Sequence, residues 1–590
     1  MGNERVAVVG GGIAGLAAAL RLRERLGPGA TITIFEQGAA LGGKLRTGEL
    51  AGGAQELGAE TFLAGDPAGG ESAAVSLARR VGLGDRLVHP GTTQAALVIG
   101  GALTDIPTGT LMGVPEDAAR VASVARVTEG RDPDQGRPLL GDGEDVAIGA
   151  LTRRRFGDEV VDRLVDPLLG GVYAGRADEL SLDMTVPGLA RAARTERTLS
   201  AAVKAAKAAS ARARAAGAAL AQTGPERAGS ASTGSASAGS SRTGSARAGA
   251  AQPGSARTGT AQASSAQAGG VRAGGVQAGT ANSVGVQAGP AWAGGAQAGI
   301  ARAGGAQAGD AQAGLAEAGA APGGRAGVPP IFATVDGGLS RLVVAVADAA
   351  KAEVRLGLPV RALERAGDGG WVLTVGAANA SDAAERHRVD AVVLAVPARA
   401  AARLLKGVDA SVSGVVGGLD YASIALINMA LPAAELPHLS GLLIPSVEGL
   451  LIKAATFFGV KWPHLRRADG VVQVRASIGR HGEEHLLQRD DAELVTAAHT
   501  ELSRLLGGRL PAPIDTIVQR WGGALPQYAP GHRARITSAR ETLRAGHPTI
   551  VLAGASYDGV GIPLCVRSGE SAADELADVV QRSAVSRESA

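Results

Sequence analysis

Short β-branched runs and longer stretches of helical apolar spacing punctuate this chain, separated by glycine, proline and charge clusters. Val6–Val9, Thr31–Phe35, Trp371–Val375, Ala391–Ala395, Val471–Ile478 and Thr549–Ala553 are apolar and bounded by turn residues, which predicts strands. Ile13–Leu26, Leu339–Ala350, Asp491–Leu506 and Ser568–Gln581 repeat apolar residues near the ~3.6 period of a helix. One region breaks the pattern. From Gly224 to Gly319 a glycine recurs at every fifth residue, with Ser264 and Val284 the exceptions. Such a period suits neither helix nor strand, and side chains this small and polar cannot offset the entropy of ordering the backbone. A disordered, low-complexity insert is therefore expected across residues 201–328, entered by an Ala/Lys/Arg-rich helical stretch, Leu199 to Leu220. Lengthening a surface loop costs little stability, so a tolerated expansion is the simplest reading and an interaction tether the alternative.

A length of 590 residues exceeds what one core usually organises, so several domains are expected. Two globular stretches, residues 1–200 and 328–582, remain outside the insert, and neither alternates strand and helix throughout; they are expected to fold together. The net charge of +3 is small for this length, and no basic stripe with interleaved aromatics points to nucleic acid. Cys565 is the only cysteine, which excludes an intrachain disulfide and a C-x-x-C motif and suits a reducing, cytoplasmic setting. The chain opens on a charged turn and a strand, not on a leader-like pattern, and its apolar runs fall short of the ~20 residues a membrane span needs. Peripheral membrane contact stays open.

Gly10-Gly11-Gly12-Ile13-Ala14-Gly15 satisfies G-x-G-x-x-G between a predicted strand and a predicted helix. There the first glycine permits a tight turn, the second lets backbone approach a pyrophosphate, and the third lets helix and strand pack closely. Glu36, at the end of the next strand, lies 21 residues beyond Gly15, where a carboxylate can hold ribose hydroxyls. A glycine-rich chain matches this motif by chance; strand, helix, second strand and acid together do not. A dinucleotide site follows.

Leu41-Gly42-Gly43-Lys44-Leu45-Arg46-Thr47 resembles the second diphosphate-contacting motif of the FAD-dependent, amine-oxidase-like flavoproteins. Gly58-Ala59-Glu60-Thr61-Phe62, Ile106-Pro107, the segment Asp166 to Gly175, Asp336-Gly337-Gly338-Leu339, Lys461-Trp462-Pro463-His464, the segment Trp521 to Tyr528 and the stretch Thr549 to Gly569 follow in order. Together they resemble the protoporphyrinogen/coproporphyrinogen oxidases, in particular the coproporphyrinogen III oxidase branch of Gram-positive bacteria. The resemblance spans essentially the whole chain apart from the repeats.

It implies an α/β fold: a Rossmann-type FAD-binding domain, a mixed-sheet substrate domain and a small helical domain. The corresponding boundaries are 1–95, 329–405 and 531–582 for the FAD-binding parts, 96–200 and 406–530 for the helical and substrate parts, and 583–590 for a tail. It also implies oxidation of a tetrapyrrole substrate, coproporphyrinogen III, by six electrons in haem biosynthesis. FAD accepts hydride, molecular oxygen is the final acceptor and hydrogen peroxide the by-product. Implied FAD contacts are Gly10, Gly11, Gly12, Ile13, Ala14, Gly15, Glu36, Gln37, Lys44, Gly58, Ala59, Glu60, Thr61, Val360, Val560, Gly561 and Ile562. Because the cofactor carries the electron chemistry, no acid/base triad is required and none is visible; no metal is implied.

The resemblance departs at Glu60 and Ala95, where protoporphyrinogen-using plant and animal relatives carry an asparagine and an arginine, so their propionate anchor does not transfer. Lys461 and Arg176 are the candidate replacements, each with a surface charge as the plainer reading. His481-Gly-Glu-Glu-His485 matches H-x-x-E-H, but Gly482 weakens the helix that a zinc site would need. The alternatives are a protoporphyrinogen IX oxidase, a flavin amine oxidase or carotenoid desaturase sharing the Gly10 and Gly42 motifs, and a non-catalytic flavin-binding scaffold.

Overall fold

The computed structural model describes residues 4–67, 69–128, 130–222, 330–367, 369–376 and 384–588. The glycine repeats Gly224–Gly319, and the disorder expected of them, lie outside the described residues.

Strict alternation in the first strand sets the layers. In Arg5–Val9 (β1), Val6 and Val8 face one core while Ala7 and Val9 face another. Around it pair Thr31–Glu36 (β2), Glu353–Leu356 (β3), Ala391–Leu394 (β4) and Ile550–Leu552 (β5), all parallel, in the order β3-β2-β1-β4-β5. Helices Ile13–Leu26 (α1), Ser340–Ala350 (α2) and Ile562–Glu588 (α4) cover the first face. The second face is covered by the antiparallel strands Val360–Arg365, Trp371–Val375 and Glu385–Val389 and by helix His532–Gly546 (α3). This doubly covered parallel sheet places the carboxyl ends of β1, β2 and β4 on one side, where open α/β sheets bind ligands.

Close backbone approach fixes that end. A Cβ on Gly15 would lie 2.0 Å from the Gly10 carbonyl, and one on Gly569 2.1 Å from that of Ala14. No side chain fits at either position, so β1, α1 and α4 converge as the third-glycine argument requires.

A second sheet of seven strands runs in the order Asp515–Gln527, Asp420–Leu431, Val472–Ile478, Ile452–Phe457, Gly441–Leu443, Ala95–Ile99, Ala102–Asp105. Ala425, Ile427 and Met429 face helix Asp491–Leu505, whereas Ala422, Ile424 and Leu426 face a helical lobe that includes Ile148–Phe156 and Asp166–Tyr173. The lobe ends in Leu199–Gln222, helical as expected for Leu199 to Leu220, so the insert boundary drawn at residue 201 falls within this helix; Leu199, Ala202, Val203 and Ala206 anchor the stretch by burial. The segments flanking the repeats are tied together by pairing: Phe332–Val335 sits between Phe62–Leu63 and Leu87–Val88. Among the described residues, no helix is long and apolar enough to cross a membrane.

Two long strands escape a pattern reading, Asp420–Leu431 and Asp515–Gln527. Gly522 and Gly523 interrupt the latter, and the pairing register shifts between Ala422 and Ile424 opposite them, a bulge that periodicity reads as a break.

Candidate functional site

A cavity of about 380 Å³ opens at the carboxyl ends of β1, β2 and β4. Its floor is the first turn of α1: Gly10, Gly12, Ile13 and Ala14 line it. Gly12 caps this helix without a side-chain hydrogen bond, and no acidic residue lies in the first turn. The leading amides of a helix have no partner within it, so this end presents unpaired donors and positive partial charge to the cavity. A Cβ on Gly12 would meet nothing within 4 Å. The room is on the cavity side, as a bound pyrophosphate requires. The Glu36 carboxylate stands at one wall, fixed by the amides of Gly11 (2.8 Å) and Gly38 (2.7 Å). This wall suits ribose hydroxyls, and the donor set fits a dinucleotide.

Gly42, Gly43 and Lys44 close the opposite side, the Gly42 amide donating to the Gly11 carbonyl at 2.8 Å. The Lys44 ammonium donates to the carbonyl of Ala524, and burial lowers its pKa to about 8. Ala553, Gly554, Ala555 and Ser556 form a further wall held by two tyrosines. The Tyr528 hydroxyl donates to the Ala555 carbonyl. The Tyr421 hydroxyl accepts from the Ala398 amide at 2.7 Å and shares a hydrogen bond with Ser556 at 2.8 Å. Cys565 also lines the cavity, and burial pushes its thiol up to about 11, which keeps it protonated and unreactive.

The sequence-predicted residues therefore divide. Gly10, Gly12, Ile13, Ala14, Glu36, Gln37, Lys44 and Val360 line the cavity; Gly11 and Gly15 shape it from behind. Gly58, Ala59, Glu60 and Thr61 do not line it but brace it from below. The Ala59 amide donates to the Lys44 carbonyl at 3.0 Å, and the Thr61 hydroxyl donates to the Ala333 carbonyl at 3.0 Å. Val560, Gly561 and Ile562 lie beyond the Ala553–Ser556 wall, at the start of α4. The pattern reading missed Ala395, Val396 and Pro397, Arg403, Tyr421 and Ser556. The first three follow the carboxyl end of β4, so the rule for ligand position in parallel sheets could have found them.

Beneath the Lys44 loop lies a buried charge network. Lys461 is fully buried and paired with Glu60, whose other oxygen lies 3.6 Å from Arg475, also fully buried. Arg475 donates to Asn428 (3.1 Å) and to the carbonyls of Gly58 (3.2 Å) and Glu56. Burial pushes Glu56 up to about 7, against the pull of the Leu339 amide and the Thr47 hydroxyl. The expected substrate cation Lys461 is thus engaged by Glu60 within the core, away from the cavity, because a buried ammonium needs a counter-charge. Arg176, the other expected cation, is exposed and outside the cavity. The H-x-x-E-H segment is a turn and a short 3-10 stretch, with the His481 ring between Glu179 (3.1 Å) and Asp420 (2.9 Å).

A family model described as flavin containing amine oxidoreductase matches residues 13–577. A coproporphyrinogen III oxidase of Propionibacterium freudenreichii is 30% identical over 592 residues, covering 97% of this chain and 90% of its own. That of Mycobacterium tuberculosis is 29% identical over 569 residues, covering 95% and 94%. Among solved structures, a candidate protoporphyrinogen oxidase of Exiguobacterium superposes with a TM-score of 0.66 at 24% identity, covering 98% of this chain and 99% of that one.

Proposed function

The chain belongs to the flavin containing amine oxidoreductase family, and we propose that within it this protein oxidises coproporphyrinogen III to coproporphyrin III in the cytoplasm. It is an oxidoreductase with FAD as its cofactor. The substrate reading rests on end-to-end similarity, at 29–30% identity, to relatives bearing that name. It is supported by a cavity at the carboxyl ends of β1, β2 and β4 whose helix-end donors and Glu36 carboxylate fit a dinucleotide.

The chemistry supplied by FAD is hydride acceptance, three times per macrocycle, with oxygen as final acceptor and hydrogen peroxide leaving. The protein's own part is placement. The α1 amides would hold the pyrophosphate, Glu36 the ribose and backbone at Val360 the adenine, and Val560, Gly561 and Ile562 would lie toward the ring end. The apolar core between the seven-stranded sheet and the helical lobe reaches this point through Val560 and Ala555.

The test compares kcat/KM for coproporphyrinogen III and protoporphyrinogen IX under air, following porphyrin fluorescence and peroxide. A clear preference for coproporphyrinogen III is expected. Preference for protoporphyrinogen IX would change the substrate, and oxidation of neither would return the chain to the wider amine-oxidase relatives.

A further inference from the structure

One arginine lining the cofactor cavity has no partner among the described residues. Arg403 lies on helix Ala398–Leu405, which follows β4 through Pro397 and buries Ala398, Ala401, Ala402 and Leu405. Ala400, Arg403 and Leu404, three and four residues apart, form the stripe of this helix that lines the cavity. The exposed Arg403 guanidinium makes no hydrogen bond or ion pair there. One helical turn earlier, Arg399 shows the alternative: it donates to Asp420 at 2.8 Å and stands 5.8 Å from the centroid of the Tyr421 ring. Of the other cations lining the cavity, Lys44 donates to the Ala524 carbonyl and Arg361 is also engaged.

The surroundings of Arg403 suit a flat base better than an anion of the chain. Among the described residues Glu36 is the only carboxylate lining the cavity, and both its oxygens accept from amides. A carboxylate in that place holds the ribose of the adenylate half, so the base lies beyond it, away from the α1 amides. Phe35, Pro359 and Val360 line the cavity next to Glu36, and the strand that begins at Val360 packs against helix Ala398–Leu405. A guanidinium is planar and weakly hydrated and stacks on aromatic faces, and a purine offers such a face.

We infer that Arg403 is the base-stacking residue of the cofactor site, its guanidinium lying against the adenine ring and closing that end of the cavity to solvent. The inference rests on the adenosine placement given above, in which Val360 contributes only backbone, and names the side chain that meets the base.

The experiment titrates full-length protein stripped of flavin with FAD and with FMN, which lacks the adenylate half, for wild type, R403A and R403K. Quenching of flavin fluorescence gives Kd, and Tm is the control for folding. Wild type is expected to bind FAD more tightly than FMN. R403A is expected to weaken FAD binding about fivefold with FMN affinity and Tm unchanged. R403K keeps the charge without the planar face and is expected to recover only a minor part of the loss. Unchanged FAD affinity in R403A overturns the inference, as does equal loss of FAD and FMN, which would mark Arg403 as a support of its helix. Full recovery in R403K overturns it too, replacing stacking by attraction to a phosphate. Wild-type protein that does not distinguish FAD from FMN overturns the adenosine placement and this inference together.

Discussion

The cofactor cavity and the packed core under helix Asp166–Tyr173 treat charge in opposite ways. In the cavity the positive potential comes from backbone, the uncapped first turn of α1, and the acid beside it, Glu36, is fixed by two amides. In the core the charge is the Lys453 ammonium, which reaches a carbonyl of the helical lobe, that of Gly170, 283 residues away in the chain. Backbone donors cost little to keep waiting because they are already fixed by the fold, whereas a buried side-chain ion is held against its solvation. The first arrangement suits a resident cofactor, and the second fixes a strand to the carbonyl end of a helix.

The strongest challenge to this contrast is to fill the cavity without touching the fold. Gly12 has φ −73° and open space around an added Cβ, so Gly12→Val should fold with a near-native Tm yet retain almost no FAD by absorbance. Gly15→Val, directed 2.0 Å from a carbonyl, should fail to fold. Full FAD occupancy in Gly12→Val would remove the loop from the site.

Next in size is the buried pair below the cavity. Glu60→Gln leaves Lys461 and Arg475 without their shared carboxylate and should cost ~3–5 kcal/mol in denaturant unfolding. A loss below ~1 kcal/mol would show that water reaches the pair.

Glu56 sharpens the comparison through pH. Its carboxyl keeps a proton up to about 7 in the folded chain but only to 4.5 ordinarily, so between these values the native state binds more protons than the unfolded one. Its contribution to stability is full below 4.5 and is lost as pH rises through about 7. Glu56→Gln, which retains an oxygen for the Leu339 amide, should flatten Tm against pH across this window; an unaltered profile would mean that Glu56 is ionised throughout.

The smallest effect is expected at the cavity wall. Tyr528→Phe removes the hydrogen bond to Ala555 and should weaken FAD binding by about fivefold, or ~1 kcal/mol, with little change in overall stability. Titration of apoprotein with FAD measures it, and an unchanged Kd would show that packing alone positions the wall.

The sequence by itself determined the cofactor half. Strand, glycine turn, helix, strand and acid lie within Arg5–Glu36, and their roles depend on backbone geometry that local residue types dictate. The final helix was legible from its apolar spacing, whereas the role of the Lys44 loop and membership of a flavoprotein family came from resemblance to known flavoproteins. The tertiary structure alone decided how the remaining charges are used. Glu60, Lys461 and Arg475 are far apart in the chain, and no spacing rule says that the first two neutralise one another in the core. Nor does any pattern distinguish Lys461 from Lys453, both flanked by apolar residues near the same strand. Which lysine meets a carboxylate and which is left without one depends on long-range sheet order and on where the helical lobe settles, because a buried charge is governed by the atoms around it and not by its neighbours in sequence.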